Sequence, residues 1–374
     1  MRICSPQLGL SPQSILGGEI YDREILHYLA KYGIECEIIL PLGKPHPQVP
    51  GWRITSLPVP FVYPPHIFNF LVLPQLFSLF RQRPFQILRI HSPAFLGVAA
   101  AIFKKVYPQI PIVGTYHWLG EGGSFENFLD PYLMQVFDLI ICDSFYTKNQ
   151  IEKKFQVNSD KIAAIHNGVD SILKPAPKSK TLLKKYNLDE ATTTLLFMGL
   201  FIERKNPQFL LSIISQLRDL GLKVKLLLCG KGPLEPDLEL QIRQQGLTEY
   251  VQLVPPVFGL AKKELFNTVD VFVHPAKNEG FSLAVVEAMA CGLTVVISDG
   301  FSAQEAVVDG SNGFLCKTQN DWVTNLITLT KQPRLRQTMR QFALEKVRSE
   351  FSWTKAVQKQ VKLFHELIAQ KKKE

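Results

Sequence analysis

Two carboxylates, two adjacent cations and one histidine are the side chains in this sequence whose placement suggests chemistry. Glu279 and Glu287 stand eight residues apart in the stretch Glu279-Gly280-Phe281-Ser282-Leu283-Ala284-Val285-Val286-Glu287. Residues 282–291 read as a short helix that Gly292 ends. Every side chain from Leu283 to Cys291 is apolar or small except Glu287. A helix that is apolar nearly all round is buried, and a lone carboxylate on it needs hydrogen-bond donors. The loop before it supplies Glu279 and Gly280, and its N-terminus offers backbone N–H groups and a partial positive charge, which suit a phosphate. The carboxylates suit the hydroxyls of a sugar or a ribose. The stretch therefore predicts a nucleotide-sugar site. Arg204 and Lys205 precede a helix beginning near Pro207, a position suited to a diphosphate; two solvated charges give the same pattern. His117 follows a strand at residues 110–115, on the edge of a parallel sheet where ligands sit, although most lone histidines are structural.

These residues need elements to position them, and strands alternate with helices along the chain. Residues 1–10 hold a first strand. The loop with Gly17-Gly18 leads into a helix that reaches about Tyr32, and residues 34–40 form a strand, giving a βαβ opening. It lacks GxGxxG, so a dinucleotide fingerprint is absent. Gly17-Gly18 is compatible with a close backbone approach to a ligand and equally with a flexible loop. The aromatic, proline-rich segment 61–85 reads either as an interfacial helix with a basic rim or as a packed helix kinked at Pro74. Strands at 86–90, 110–115, 138–144 and 161–166 follow, with the Gly-rich loop Gly120-Glu121-Gly122-Gly123 after His117. Residues 171–190 are linker-like. A second series comprises strands at 194–199, 224–229, 251–254, 269–275 and 294–298; the last is expected to close the parallel run, with a turn at 309–314 after it. Two parallel α/β sheets facing each other would place a cleft between their strand-carboxyl edges.

The bounds agree with this reading. A chain of 374 residues exceeds what one core usually serves. The organisation expected is an acceptor-side domain at 1–170, a nucleotide-sugar-binding domain at 171–350, and a C-terminal helix with a basic tail at 351–374 that crosses back to the first domain. Residues 331–374 hold 12 Lys+Arg against 4 Asp+Glu, so they carry nearly all of the net charge of +9. Charge gathered at one end, without interleaved aromatics on a folded face, argues against nucleic acid. It suits contact with anionic lipid headgroups or a solvated helix face. Six scattered cysteines with no CxxC pair fit small buried hydrophobes in a reducing compartment. The N-terminus lacks the apolar core of a signal peptide, and no apolar run approaches the roughly 20 residues of a spanning helix. A cytoplasmic protein is expected, with the inner membrane face as the place of any peripheral contact.

Taken together, the motifs resemble those of the retaining group 1, or family 4, glycosyltransferases of GT-B fold, which carry a Glu, seven residues, Glu signature. The resemblance covers nearly the whole chain. Gly17-Gly18 looks like the family's glycine loop, Thr115-Tyr116-His117 like its active-site histidine segment, and His166-Asn167-Gly168-Val169-Asp170 like its inter-domain turn. Gly199 with Lys205 is similar to its phosphate-binding loop, and Gly230-Lys231-Gly232-Pro233 to its strand-end turn. The resemblance implies transfer of a hexosyl group from a nucleotide-diphosphate sugar to a glycan, lipid-linked glycan or glycolipid, as in polysaccharide biosynthesis. Glu287 would hold the ribose hydroxyls. Glu279 and the backbone of Gly280, Phe281, Ser282 and Leu283 would hold the donor sugar and diphosphate. Lys205, with Arg204 beside it, would neutralise the leaving group, and His117 would contact the donor sugar. No DxD occurs, so no metal or other cofactor is expected, and no pair of carboxylates reads as a glycosidase dyad. The sequence departs from the family at Leu200, where an arginine is usual, and at Phe301-Ser302, where two glycines are. Two alternatives remain at this level: a sugar-nucleotide epimerase of the same fold, and a nucleotide-sugar-binding protein with weakened catalysis.

Overall fold

The computed structural model describes residues 1–59, 65–119, 129–189 and 191–373. The chain forms two compact units. Met1–Gly168 and Trp353–Glu374 make the first, and Val169–Ser352 the second.

In the first unit, strands β1 (Arg2–Pro6), β2 (Glu35–Pro41), β3 (Trp52–Leu57), β4 (Ile87–His91), β5 (Ile112–Tyr116), β6 (Leu139–Cys142) and β7 (Ile162–Ala164) form one sheet. Its order is β3-β2-β1-β4-β5-β6-β7, and every pairing is parallel. The central strands are buried apolar runs because helices cover both faces. Phe68, Leu76, Phe80, Phe85, Phe103 and Phe137 fill one side of the core. The strand order turns round between β1 and β4, which makes their carboxyl ends the switch point of this sheet. The proline-rich segment gives two helices, Phe68–Leu71 and Leu73–Gln82, separated at Val72 with Pro74 in the first turn of the second. Their inner faces join the core, as the packed-helix reading expects.

In the second unit, β8 (Thr193–Leu200), β9 (Val224–Lys231), β10 (Val251–Val254), β11 (Val271–His274), β12 (Thr294–Ser298) and β13 (Gly313–Cys316) form a sheet of order β10-β9-β8-β11-β12-β13. It too is wholly parallel, and its switch point lies between β8 and β11. The parallel series therefore does not close at residue 298. The chain turns at Asp309–Gly310 and then adds β13, whose residues pair with β12 from Val295↔Gly313 to Ser298↔Cys316.

The last helix, Trp353–Lys371, packs on the first, Gly17–Lys31, as the C-terminal crossing back requires. Gln360 Nε2 donates to the Tyr21 hydroxyl at 3.0 Å, and Trp353 lies against the rings of Tyr21 and Tyr28. The chain passes between the units at residues 168–169 and 352–353. Gly168 packs directly on the Trp353 backbone, and Val169 N–H donates to the Phe351 carbonyl at 3.2 Å. In the basic tail, Lys371 Nζ lies 3.4 Å from Asp138 Oδ1. The six cysteines are free and buried. Among the described residues no helix is long and apolar enough to cross a membrane.

Candidate functional site

The switch point of the second sheet gathers most of the residues expected to act. After β8, a 3-10 turn, Glu203–Lys205, is closed by Asn206 in the left-handed region, φ +54°. This turn sets Arg204 and Lys205 beside the loop that leaves β11. Lys277 N–H donates to the Arg204 carbonyl at 2.9 Å, and Arg204 Nη1 donates to the Asn278 carbonyl at 2.9 Å, so the two loops are tied together. Both cations converge on Glu279. Lys205 Nζ pairs with its Oε2, and Arg204 Nη1 donates to its Oε1 at 3.2 Å. Burial favours the protonated acid, but the charge of Lys205, then the hydrogen bond from His274 and the charge of Arg204, outweigh it and hold the Glu279 carboxyl well below the usual range.

His274 ends β11 and is 4% exposed. Its ring stacks on Phe197 and Phe272 at 6.1 Å each. Burial, with Lys205 next, pushes its pKa down, so the ring is neutral near pH 7. The Ser282 hydroxyl lies 3.1 Å from His274 Nε2. Ser282 occupies the N-cap position of the helix Leu283–Ala290 yet makes no side-chain cap. The first-turn N–H groups have no carbonyl one turn back, and the side chain best placed to satisfy one is turned to the histidine instead. Ser302 Oγ donates to the Glu279 carbonyl at 3.2 Å, so the serine that departs from the family pattern fastens the site loop. Phe301 beside it adopts φ +53°, a conformation that glycine takes without strain.

Glu287 projects from the same helix. Lys262, on the helix Gly259–Thr268, approaches both of its carboxylate oxygens at 3.0 Å. Gly199 and Gly230 face each other at the ends of β8 and β9. A Cβ at residue 230 would strike the Gly199 carbonyl, so close backbone approach requires glycine there.

Gly17, Gly18 and His117 belong to the first unit. Gly17 opens the first helix. His117 follows β5; its Nδ1 is 3.1 Å from Asp143 Oδ2, and its ring meets Tyr21 edge-on with centroids 4.5 Å apart. A Cβ at Gly18 would lie 3.3 Å from His91 Cε1 and 3.7 Å from His117 Cδ2. The loop Gly120-Glu121-Gly122-Gly123 lies outside the described residues.

The structure thus joins Arg204 and Lys205 to Glu279, with Gly280, Phe281 and Ser282 next to it in the chain and Leu283 and Glu287 on the helix they lead into, while Gly199 and Gly230 pair with each other at the ends of β8 and β9. It also reveals partners that motif reading passed over: His274 and Lys262 here, and Asp143, Asp22, Arg89 and His91 around His117. His274 carried one signal, a histidine at the carboxyl end of a buried strand. Lys262 carried none.

The two halves of the chain match two related family profiles. Residues 15–171 match Glycosyltransferase Family 4 and residues 178–346 match Glycosyl transferases group 1. N-acetyl-alpha-D-glucosaminyl L-malate synthase of Bacillus anthracis is 23% identical over 379 residues, covering 98% of this chain and 96% of that protein. Sucrose-phosphate synthase from Thermosynechococcus elongatus superimposes with a TM-score of 0.84 at 18% identity, over 98% of this chain and 99% of that one. Anabaena Alr3699/HepE in complex with UDP-glucose superimposes with a TM-score of 0.76 at 18% identity, over 98% and 100%.

Proposed function

The chain belongs to the group 1 (family 4) glycosyltransferases of GT-B fold, and we propose that it moves a hexosyl group from a nucleotide-diphosphate sugar to a glycan, lipid-linked glycan or glycolipid with retention of anomeric configuration. The observation that carries this reading is the convergence of Arg204 and Lys205 on Glu279 at the uncapped start of the helix Leu283–Ala290. Two cations and a helix N-terminus on one sheet edge form a receptor for a diphosphate, and a carboxylate kept ionised among them accepts sugar hydroxyls. The solved Anabaena relative holds UDP-glucose, a ligand of this class.

In this reading Lys205 and Arg204 stabilise the charge that grows on the departing nucleoside diphosphate. Arg204 supplies the guanidinium that position 200 lacks: Leu200 ends β8, and the 3-10 turn returns Arg204 to the same edge. Glu287, already fastened by Lys262, accepts the ribose hydroxyls. His117, oriented by Asp143, contacts the donor sugar. Neutralisation of the diphosphate is assigned to these cations and not to a metal, so turnover should persist in EDTA.

The test is a panel of UDP-, GDP- and ADP-sugars, read by thermal shift and by release of the nucleoside diphosphate. One donor should raise the melting temperature and be turned over. If none does either, the central claim fails. Epimer formation would support the epimerase reading instead, and binding without turnover would support weakened catalysis.

A further inference from the structure

The switch point of the first sheet carries a second histidine that the transferase reading leaves unused. His91 ends β4, and the loop after β1 brings Gly18 against its ring. The Nδ1 edge is buried and paired with Asp22 Oδ2, while the side chain as a whole is 13% exposed. The Cε1–Nε2 edge therefore faces Gly18, where a Cβ would stand 3.3 Å from Cε1 and 3.7 Å from Nε2. Asp22 is completely buried on the first helix, and its other oxygen accepts from Arg89 Nη1, itself completely buried in β4. Arg89 interrupts a strand that is otherwise apolar up to His91. Replacing a buried ion pair of this kind with packed hydrophobes is often neutral or stabilising, so stability alone does not account for it. What the pair does accomplish is to fix the Asp22 carboxylate, and through it the plane and tautomer of His91.

We propose that His91 contacts the acceptor substrate, presenting an unprotonated Nε2 that accepts a hydrogen bond from the attacking hydroxyl. The inference rests on the transferase reading above. Three further observations support it. Burial lowers the His91 pKa despite the neighbouring carboxylate, which keeps the ring neutral near pH 7. For Asp22, burial is outweighed by Arg89 and then His91, which bring its carboxyl down to about 2, so it accepts from Nδ1–H and leaves Nε2 bare. The His91 and His117 rings stand 5.5 Å apart by centroid, the second oriented by Asp143 as the first is by Asp22. Two carboxylate-oriented imidazoles thus flank the glycine loop at the edge where ligands of such sheets sit. Among the described residues, the charged and titratable groups around His91 are Asp22 and Tyr21 on the first helix, Arg89 on its own strand, and His117 and Asp143, which follow β5 and β6.

Asp22, His91 and His117 also bring one potential ligand atom each within 4.8 Å of one another. Arg89 already holds the Asp22 carboxylate and sets a fixed positive charge beside any cation, which favours hydrogen bonding over metal ligation.

Two substitutions separate substrate contact from structural support. His91→Asn keeps an N–H for Asp22 but removes the far nitrogen. His91→Gln places an amide oxygen near the Nε2 position. With the donor identified by the panel, His91→Asn should leave donor affinity within about twofold and slow transfer about 100-fold, and His91→Gln should recover part of the loss. Imidazole ¹⁵N spectra of the wild type, assigned by difference from His91→Asn, should show a neutral ring protonated at Nδ1, with the Nε2 signal moving as glycerol is added as a hydroxyl probe. Wild-type transfer by His91→Asn, a proton on Nε2, or zinc retained by His91 after dialysis would each overturn the proposal. If the wild type engages no nucleotide sugar, the transferase reading falls, and the glycerol titration still decides whether Nε2 receives a hydroxyl.

Discussion

Replacing Lys205 with methionine keeps the unbranched stem of the side chain and removes its charged, hydrogen-bonding end. Lys205 is 14% exposed and Glu279 16%, so the lost partner leaves a largely buried carboxylate. Breaking a buried pair by removing one member typically costs about 3–5 kcal/mol. Arg204 still reaches Glu279 at 3.2 Å, which puts the expected loss at the low end, about 3 kcal/mol, or a fall in melting temperature of roughly 6–12 °C for a unit of this size. The sign with pH follows from the depressed Glu279 pKa. Stability from a carboxylate lowered below its unfolded value is present above that value and is lost as pH falls toward the folded one. In the variant the folded pKa rises, so less is lost in that window. The gap between wild type and Lys205→Met should therefore be full at pH 7 and shrink progressively below the ordinary glutamate value of 4.5. Catalysis should suffer separately, because a preorganised donor at a developing charge contributes about 10²–10³ in kcat. Urea unfolding at several pH values, with donor turnover at pH 7, measures both. A stability gap that does not change with pH would refute the charge coupling, and an unchanged kcat would refute the leaving-group role.

Three further outcomes are expected. Glu287→Ala should weaken donor binding about 10- to 100-fold, the loss of one or two charge-assisted hydrogen bonds, while Lys262 is left without its partner; calorimetric titration with the donor checks this, and wild-type affinity would remove the ribose assignment. His117→Ala should lower kcat about 100-fold with a much smaller change in donor affinity, seen by comparing turnover with thermal shift. Gly292→Ala should destabilise by about 1–2 kcal/mol, because φ is +83° and a Cβ would sit 2.8 Å from Arg340 Nε; chemical denaturation measures it, and a neutral effect would show that the helix end can rearrange.

Legibility in the sequence followed the length and uniformity of the signal. The helix Leu283–Ala290 was readable because a run of small apolar residues ended by glycine has few other solutions, and it is bounded by Ser282 and Cys291. Strand β13 was hidden because only four residues, two buried and two half-buried, follow Asp309-Gly310-Ser311-Asn312, whose turn chemistry dominates the local pattern. Strand β3, with its interior mostly part-exposed, follows a proline-rich stretch and lacks the apolar run that marked its neighbours. In the site, Glu279, Arg204 and Lys205 stood out through motif spacing. Lys262 and Asp22 did not, because their meaning lies in contacts that span 25 and 67 residues, to Glu287 and Arg89 respectively. Arg89 left a trace, a lone charge inside an apolar strand, and that trace leads to His91.

The passage of the chain between the units has a practical meaning. The second unit is an insertion in the first, and its two ends are joined by the Val169–Phe351 hydrogen bond. The flanking residues of the host, Gly168 and Trp353, are already in contact. Each unit can therefore be cut out where its own ends meet: residues 169–352 as one uninterrupted polypeptide, and the host by splicing residue 168 to 353 through a short loop. A truncation that simply stops at the linker would remove the helix holding Tyr21 and so loosen the wall behind His117. The two units are thus separable by splicing at their natural seams, and not by truncation.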